Sequence, residues 1–92
     1  MIRSFADKET EKIFRRLPTK FGKRLQGAVH EKLLLLHAAT SLDELRSPPG
    51  NRLEKLMGDR KGQYSIRVDK RFRLCFIWSA GLADAVELVD YH

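Results

Sequence analysis

The sequence predicts an α+β fold, with two N-terminal helices packed on one face of a small antiparallel sheet. Three observations carry this expectation. Apolar residues recur with a helical period up to Ala39, a proline- and glycine-rich stretch follows at 47–51, and beyond it the period drops to two. Helical and strand patterns therefore occupy separate halves of the chain, as they do when helices cover one side of an antiparallel sheet. The chain has 92 residues, enough for a single domain spanning 1–92. Its hydrophobic content of 42 % is sufficient to form a core and argues against disorder.

The first five residues read as a short strand that alternates poorly. Residues 7–17 read as a helix whose apolar stripe is Ile13, Phe14 and Leu17, with acids in its first turn and Arg15 and Arg16 in its last, matching the helix dipole. Pro18 stops it. A longer helix is expected from Thr19 or Lys20 to Ala39, where Leu25, Ala28, Val29, Leu33 and Leu36 share a face. Gly27, inside it, suggests close packing against the sheet. Ser41 and Glu44 have capping-box spacing and predict one short helical turn. Strands follow at 52–57, 63–68, 71–78 and 85–91, separated by turns at 58–62, 69–70 and 79–84. In the third of these, Phe72, Leu74, Phe76 and Trp78 form the core face. Arg71 and Arg73 take the other face, with Arg67 from the neighbouring strand, toward solvent or a ligand.

The net charge is +6, and residues 46–73 alone account for that value, with nine cations against three anions. Such a concentration suits a polyanion such as nucleic acid, and a solvated surface equally well. The single cysteine, Cys75, lies in an apolar run and cannot form an internal disulfide. His30 and His37 stand seven residues apart, too far for an i, i+4 ligand pair, and neither a metal nor a cofactor motif is present, so surface positions are expected for both. Asp7, Glu9 and Glu11 interrupt the stretch where a signal peptide would be apolar, and no run approaches the ~20 residues of a membrane span. The expectation is a cytoplasmic protein without a membrane partner.

What remains is a polar constellation. Arg67 and Arg73 share a face on adjacent strands, and guanidinium donors match phosphate oxygens; pairing with an acid such as Asp69 or Glu87 is the alternative. Asp90, Tyr91 and His92 follow directly on an apolar strand that can hold them in place. Metal-free RNA cleavage needs a 2′-hydroxyl activated, a charged phosphate stabilised and a 5′-oxygen protonated. His92, Asp90, Arg73 and Arg67 together offer groups of those kinds.

Several segments resemble HigB-type toxins of the RelE/ParE superfamily: LRSPPGNRLE at 45–54, GDRKGQYSI at 58–66, RFRLCFIW at 71–78, VELVDYH at 86–92 and the opening MIRSF. The likeness spans essentially the whole chain. It implies a microbial ribonuclease-like fold and a type II toxin that cleaves mRNA in the ribosomal A site without a metal, inhibiting translation. It also implies neutralisation by a HigA-type helix-turn-helix antitoxin, through which alone operator DNA would be contacted. Residue by residue, the resemblance links Arg73 to the scissile phosphate and Asp90, Tyr91 and His92 to function. Glu54 stands where the best-studied members carry histidine, and Met57 where they carry lysine. Glu54 is therefore the candidate base, and Lys55 or Arg60 the nearby charge. Arg67, Arg71 and Lys61 complete the expected RNA-binding cations.

Two other readings compete. ParE-type relatives sharing the fold inhibit DNA gyrase without catalysis, but such a role has no evident need for a terminal Asp-Tyr-His. A plain RNA-binding module would stack bases on aromatics, yet Tyr64, Phe72, Phe76 and Trp78 fall on the expected core face.

Overall fold

The computed structural model describes residues 1–91. The order of elements is α1 (Lys8–Phe14), α2 (Lys23–Ala38), then β1 (Glu54–Lys55), β2 (Gln63–Arg67), β3 (Phe72–Ser79) and β4 (Leu82–Asp90). The four strands form one antiparallel sheet in the order β1-β2-β3-β4. The helices cover one face, so the expected α+β arrangement is present. Ile13 of α1 and Val29, Leu33 and Leu36 of α2 are fully buried against Ile66, Leu74, Phe76, Ala83 and Val86 of the sheet.

The helical hairpin differs from its sequence reading at the turn. α1 ends at Phe14, and Arg16 takes a left-handed φ of 58°. Leu17 therefore leaves the apolar stripe and is 46 % exposed. α2 begins only after Gly22, because the backbone N–H of Phe21 donates to the Thr19 hydroxyl in a local turn. Gly27 does not pack against the sheet: a Cβ placed there would meet nothing within 4 Å. His30 and His37 are not surface groups either. His30 is buried, and His37 Nδ1 accepts the Ile2 amide at 3.1 Å.

The N-terminal segment is not a regular strand. It touches β4 through two isolated parallel bridges, Ile2 with Ala83 and Phe5 with Val86. β1 is only two residues long. β4 starts three residues earlier than its pattern suggested, because the turn before it needs only Ala80 and Gly81, at φ 51° and 78°. Two successive left-handed residues fit the twist of a tight hairpin, and alanine is a poor signal for one. The capping box is present: the Glu44 carboxylate accepts the Thr40 and Ser41 amides ahead of a short 3-10 helix, Leu42–Arg46.

The loop entering the sheet is fixed by one buried side chain. Asn51 is fully buried; its amide nitrogen donates to the Leu45 and Ser47 carbonyls at 3.1 and 3.2 Å, and its oxygen accepts Lys32 Nζ of α2 at 2.5 Å. Asn51→Ala leaves the buried Leu45 carbonyl without this donor and Lys32 without its acceptor. Removing one partner of such bonds costs about 1–3 kcal/mol each, so equilibrium urea unfolding is expected to show a loss of at least ~2 kcal/mol. An unchanged unfolding midpoint would show that the loop does not depend on Asn51.

Candidate functional site

The outer sheet face is organised by strand register. Glu54 lies opposite Ser65, Ser65 opposite Cys75, and Cys75 opposite Glu87, so these four form one row across the sheet. The adjacent row holds Arg67, Arg73 and Val89. A bulge between Cys75 and Ile77 makes three steps on β4 match two on β3, with Ala85 at φ 51° absorbing the extra residue. That irregularity lets Ala83 and Val86 both face the core while Glu87 stays on the outer side.

Arg73 occupies the centre of this face, but it is not exposed as alternation suggested. Only 8 % of the residue reaches solvent. Its Nε donates to Ser65 Oγ at 2.8 Å, and Nη2 donates to the Arg52 carbonyl at 2.6 Å. Arg52 itself adopts a left-handed φ of 44°, which turns its carbonyl back over β2 and β3. Glu54 Oε1 lies 3.7 Å from Nη2, and the Glu54 side chain is 56 % exposed. Nη1 donates to nothing among the described residues. Arg73 is thus a cation fixed on two nitrogens, with donor capacity left on the third.

Tyr91 closes this face from the other side. Its amide donates to the Arg71 carbonyl at 2.6 Å, which holds the end of β4 against the start of β3. The ring centroid lies 6.0 Å from the Arg73 guanidinium carbon, a cation–π distance. Its hydroxyl reaches the Cys75 thiol, and burial followed by the neighbouring Cys75 raises the phenol pKa. The phenol therefore stays protonated near neutral pH and can donate a hydrogen bond, but it does not act as a base. Burial also pushes the Cys75 thiol up, so this residue is an inert floor between Arg73 and Arg60 rather than a nucleophile.

Arg60 comes from a turn, yet its Nη1 reaches Gln63 Oε1 at 3.2 Å and Glu87 Oε1 at 3.1 Å. It supplies a second oriented guanidinium across the sheet from Arg73. Arg71 is engaged differently: its Nε and Nη2 clamp the Asp90 carboxylate at 3.0 and 2.7 Å. Arg71 and Asp90 therefore brace the strand ends rather than standing open as separate groups. Arg67 shares the Arg73 face by register, and its Nε donates to the Asp69 carbonyl at 3.0 Å. Lys55 and Lys61 are exposed at the rim of the sheet, and neither forms an ion pair among the described residues. His92 lies outside the described residues.

The structure thus gathers Arg73, Glu54, Tyr91 and Arg60 on one face. It adds Ser65, Glu87, Cys75 and the Arg52 carbonyl, which sequence reasoning did not place in the site. Period two assigns Ser65 and Cys75 to this face, beside Arg67 and Arg73, but gives them no role in the site. Nothing in a local pattern shows that a turn residue such as Arg60 folds back to β4, or that a backbone carbonyl caps Arg73. No group of three or more His, Cys, Asp or Glu among the described residues is arranged to hold a metal. No helix among the described residues is long and apolar enough to cross a membrane.

Comparison with known proteins agrees with this architecture. Toxin HigB-1 of Vibrio cholerae is 44 % identical over 75 residues, covering 82 % of this chain and 75 % of that protein. A protein of Haemophilus influenzae is 38 % identical over 58 residues, covering 63 % of this chain and 57 % of its own. The fold is similar to that of a chain in the YoeB-YefM complex from Staphylococcus aureus, with a TM-score of 0.64, 19 % identity, and coverage of 100 % of this chain and 95 % of that one. The family model described as the RelE-like toxin of type II toxin-antitoxin system HigB matches residues 3–92. The chain therefore belongs to the HigB-like toxins of type II toxin–antitoxin systems.

Proposed function

We propose that this toxin is a ribosome-dependent, metal-independent endoribonuclease that cuts mRNA in the ribosomal A site. The observation that supports it most is the fixed guanidinium of Arg73, with Nη1 available, beside the exposed carboxylate of Glu54. In this reading Glu54 takes the proton of the RNA 2′-hydroxyl. The 2′-oxygen forms a bond to the adjacent phosphorus, and Arg73 stabilises the charge that develops on the non-bridging oxygens. The bond from phosphorus to the 5′-oxygen breaks, and His92 returns a proton to that oxygen. The products are a 2′,3′-cyclic phosphate and a free 5′-hydroxyl, with no co-reactant needed. Tyr91, as a neutral donor over Arg73, orients the phosphate, while Arg60, Arg67, Lys55 and Lys61 attract the RNA backbone. Arg71 acts indirectly by clamping Asp90.

The chain is small and this face is open, so it gives little help in placing the 2′-oxygen in line with the leaving group. Such placement is worth roughly 7–11 kcal/mol at best, and the ribosome supplies it. Antitoxin binding is the corresponding off-switch.

Arg73 is buried, so Arg73→Ala removes both a catalytic donor and the partner of Ser65 and the Arg52 carbonyl. Loss of one oxyanion donor slows chemistry about 10²–10³-fold. The same change is expected to lower stability by ~1–3 kcal/mol. Arg73→Lys, which keeps a cation but not the fork, should lose the rate with a smaller stability loss. Single-turnover mRNA cleavage on programmed ribosomes reads the first quantity and urea unfolding the second. A folded Arg73→Lys with the wild-type rate would remove Arg73 from the chemistry.

Glu54→Gln and His92→Gln test the proton transfers. Each is expected to slow cleavage by roughly 10²–10⁴-fold. The Glu54 side chain is 56 % exposed and 3.7 Å from Arg73, so its change should lower stability by no more than ~1 kcal/mol. Wild-type rates from both variants would defeat the assignment of base and acid. If the toxin instead arrests DNA synthesis while transcripts stay intact, the gyrase-inhibitor reading takes its place.

A further inference from the structure

Two features of α2 run against helix stability, and both border the same groove. Gly27 sits in the helix interior, where glycine costs about 1 kcal/mol relative to alanine, yet no neighbouring atom requires its lack of a side chain. The first turn carries Lys23 and Arg24 and no acid, which opposes the positive end of the helix dipole. Neither cation, nor Arg16 across the groove, forms an ion pair among the described residues. Departures from local preference without compensation inside the fold mark positions held for another purpose.

The groove between α1 and the start of α2 has a volume of about 560 Å³. Ile13, Leu17, Pro18 and Phe21 give it apolar walls, and Arg16 and Lys23 lie at its edge. Leu17 stands 46 % exposed there. His30 is buried at its floor, with one ring nitrogen bonded to the Phe14 backbone. Residues 15–24 hold five cations and no anion. An apolar cleft with a cationic rim suits an acidic segment that carries a large apolar side chain. The rim cations would accept an RNA phosphate as readily as a carboxylate, but the walls of Ile13, Leu17 and Pro18 match an apolar side chain and not a ribose.

We propose that this groove seats an apolar side chain from an acidic segment of the antitoxin. The inference rests on the family's antitoxin partnership but not on the nuclease reading. α1 and α2 cover the core face of the sheet, whereas Arg73 lies on the other face, so an occupant of the groove does not touch the candidate catalytic groups.

The test uses the whole chain and its cognate antitoxin, with affinity measured by calorimetry at low and high salt. Gly27→Leu fills the cleft and Lys23→Glu reverses the rim, and both changes favour the helix, so thermal melts should show no loss of folding. Each is expected to weaken antitoxin binding by about tenfold or more, while ribosome-dependent cleavage is unchanged. Wild-type affinity in both variants would overturn the proposal. Intact antitoxin binding with impaired cleavage would overturn it in favour of a ribosome contact. If the wild-type chain binds no antitoxin, this proposal and the partner assignment fail together, and the nuclease reading is judged separately by its cleavage assay.

Discussion

The hydrogen bonds from Arg73 to Ser65 Oγ and the Arg52 carbonyl constrain the outer sheet face, because a buried cation must be satisfied. Taking an ion out of water costs several kcal/mol even after relaxation. Hydrogen bonds to a charged group return about 1.5–3 kcal/mol each. Two short bonds, the adjacent Glu54 carboxylate and the Tyr91 ring therefore come as a set. The left-handed Arg52, the brevity of β1 and the docking of the strand end by the Tyr91 amide all serve to deliver those partners. A guanidinium held in this way has its orientation already fixed, which is the condition under which a charge stabilises a developing anion most.

The bulge in β4 does complementary work on the two faces. A strand of strict period two would not allow Ala83 and Val86 to pack together in the core. The extra residue at Ala85 lets both do so, and it keeps Glu87 opposite Cys75 on the outer side. Glu87 then holds Arg60 across the sheet. The position of a second guanidinium in the site thus depends on a backbone irregularity at Ala85, two residues before its partner Glu87.

Charge is used in two ways along this chain. Within the basic segment, Arg46, Arg60, Arg71 and Arg73 each face an acid, so part of the positive charge is spent on internal geometry. Around the helical hairpin, Arg16, Lys23 and Arg24 have no such partners among the described residues, and Arg16 and Lys23 line an apolar cleft. Paired charges orient side chains, whereas unpaired ones at a rim steer a partner of opposite sign. The two surfaces lie on opposite sides of the sheet, so an occupant of the cleft does not cover the face that carries Arg73.

Local pattern by itself determined the fold class, because the shift from a helical period to period two depends only on which residues prefer water. Alternation also placed Arg67 and Arg73 together on the face away from the helices, and the capping box at Ser41 and Glu44 was readable from spacing alone. Tertiary structure decided what local pattern could not encode. Burial of Arg73 comes from a chain segment twenty-one residues upstream, whose carbonyl points at it only because Arg52 turns left-handed. The pairing of Arg60 with Glu87 joins a turn to a distant strand, and Arg71 is engaged by Asp90 only once the strand ends meet. Alternation reports which side of a sheet a residue takes. Whether that side is open to solvent is settled by what the rest of the chain lays over it.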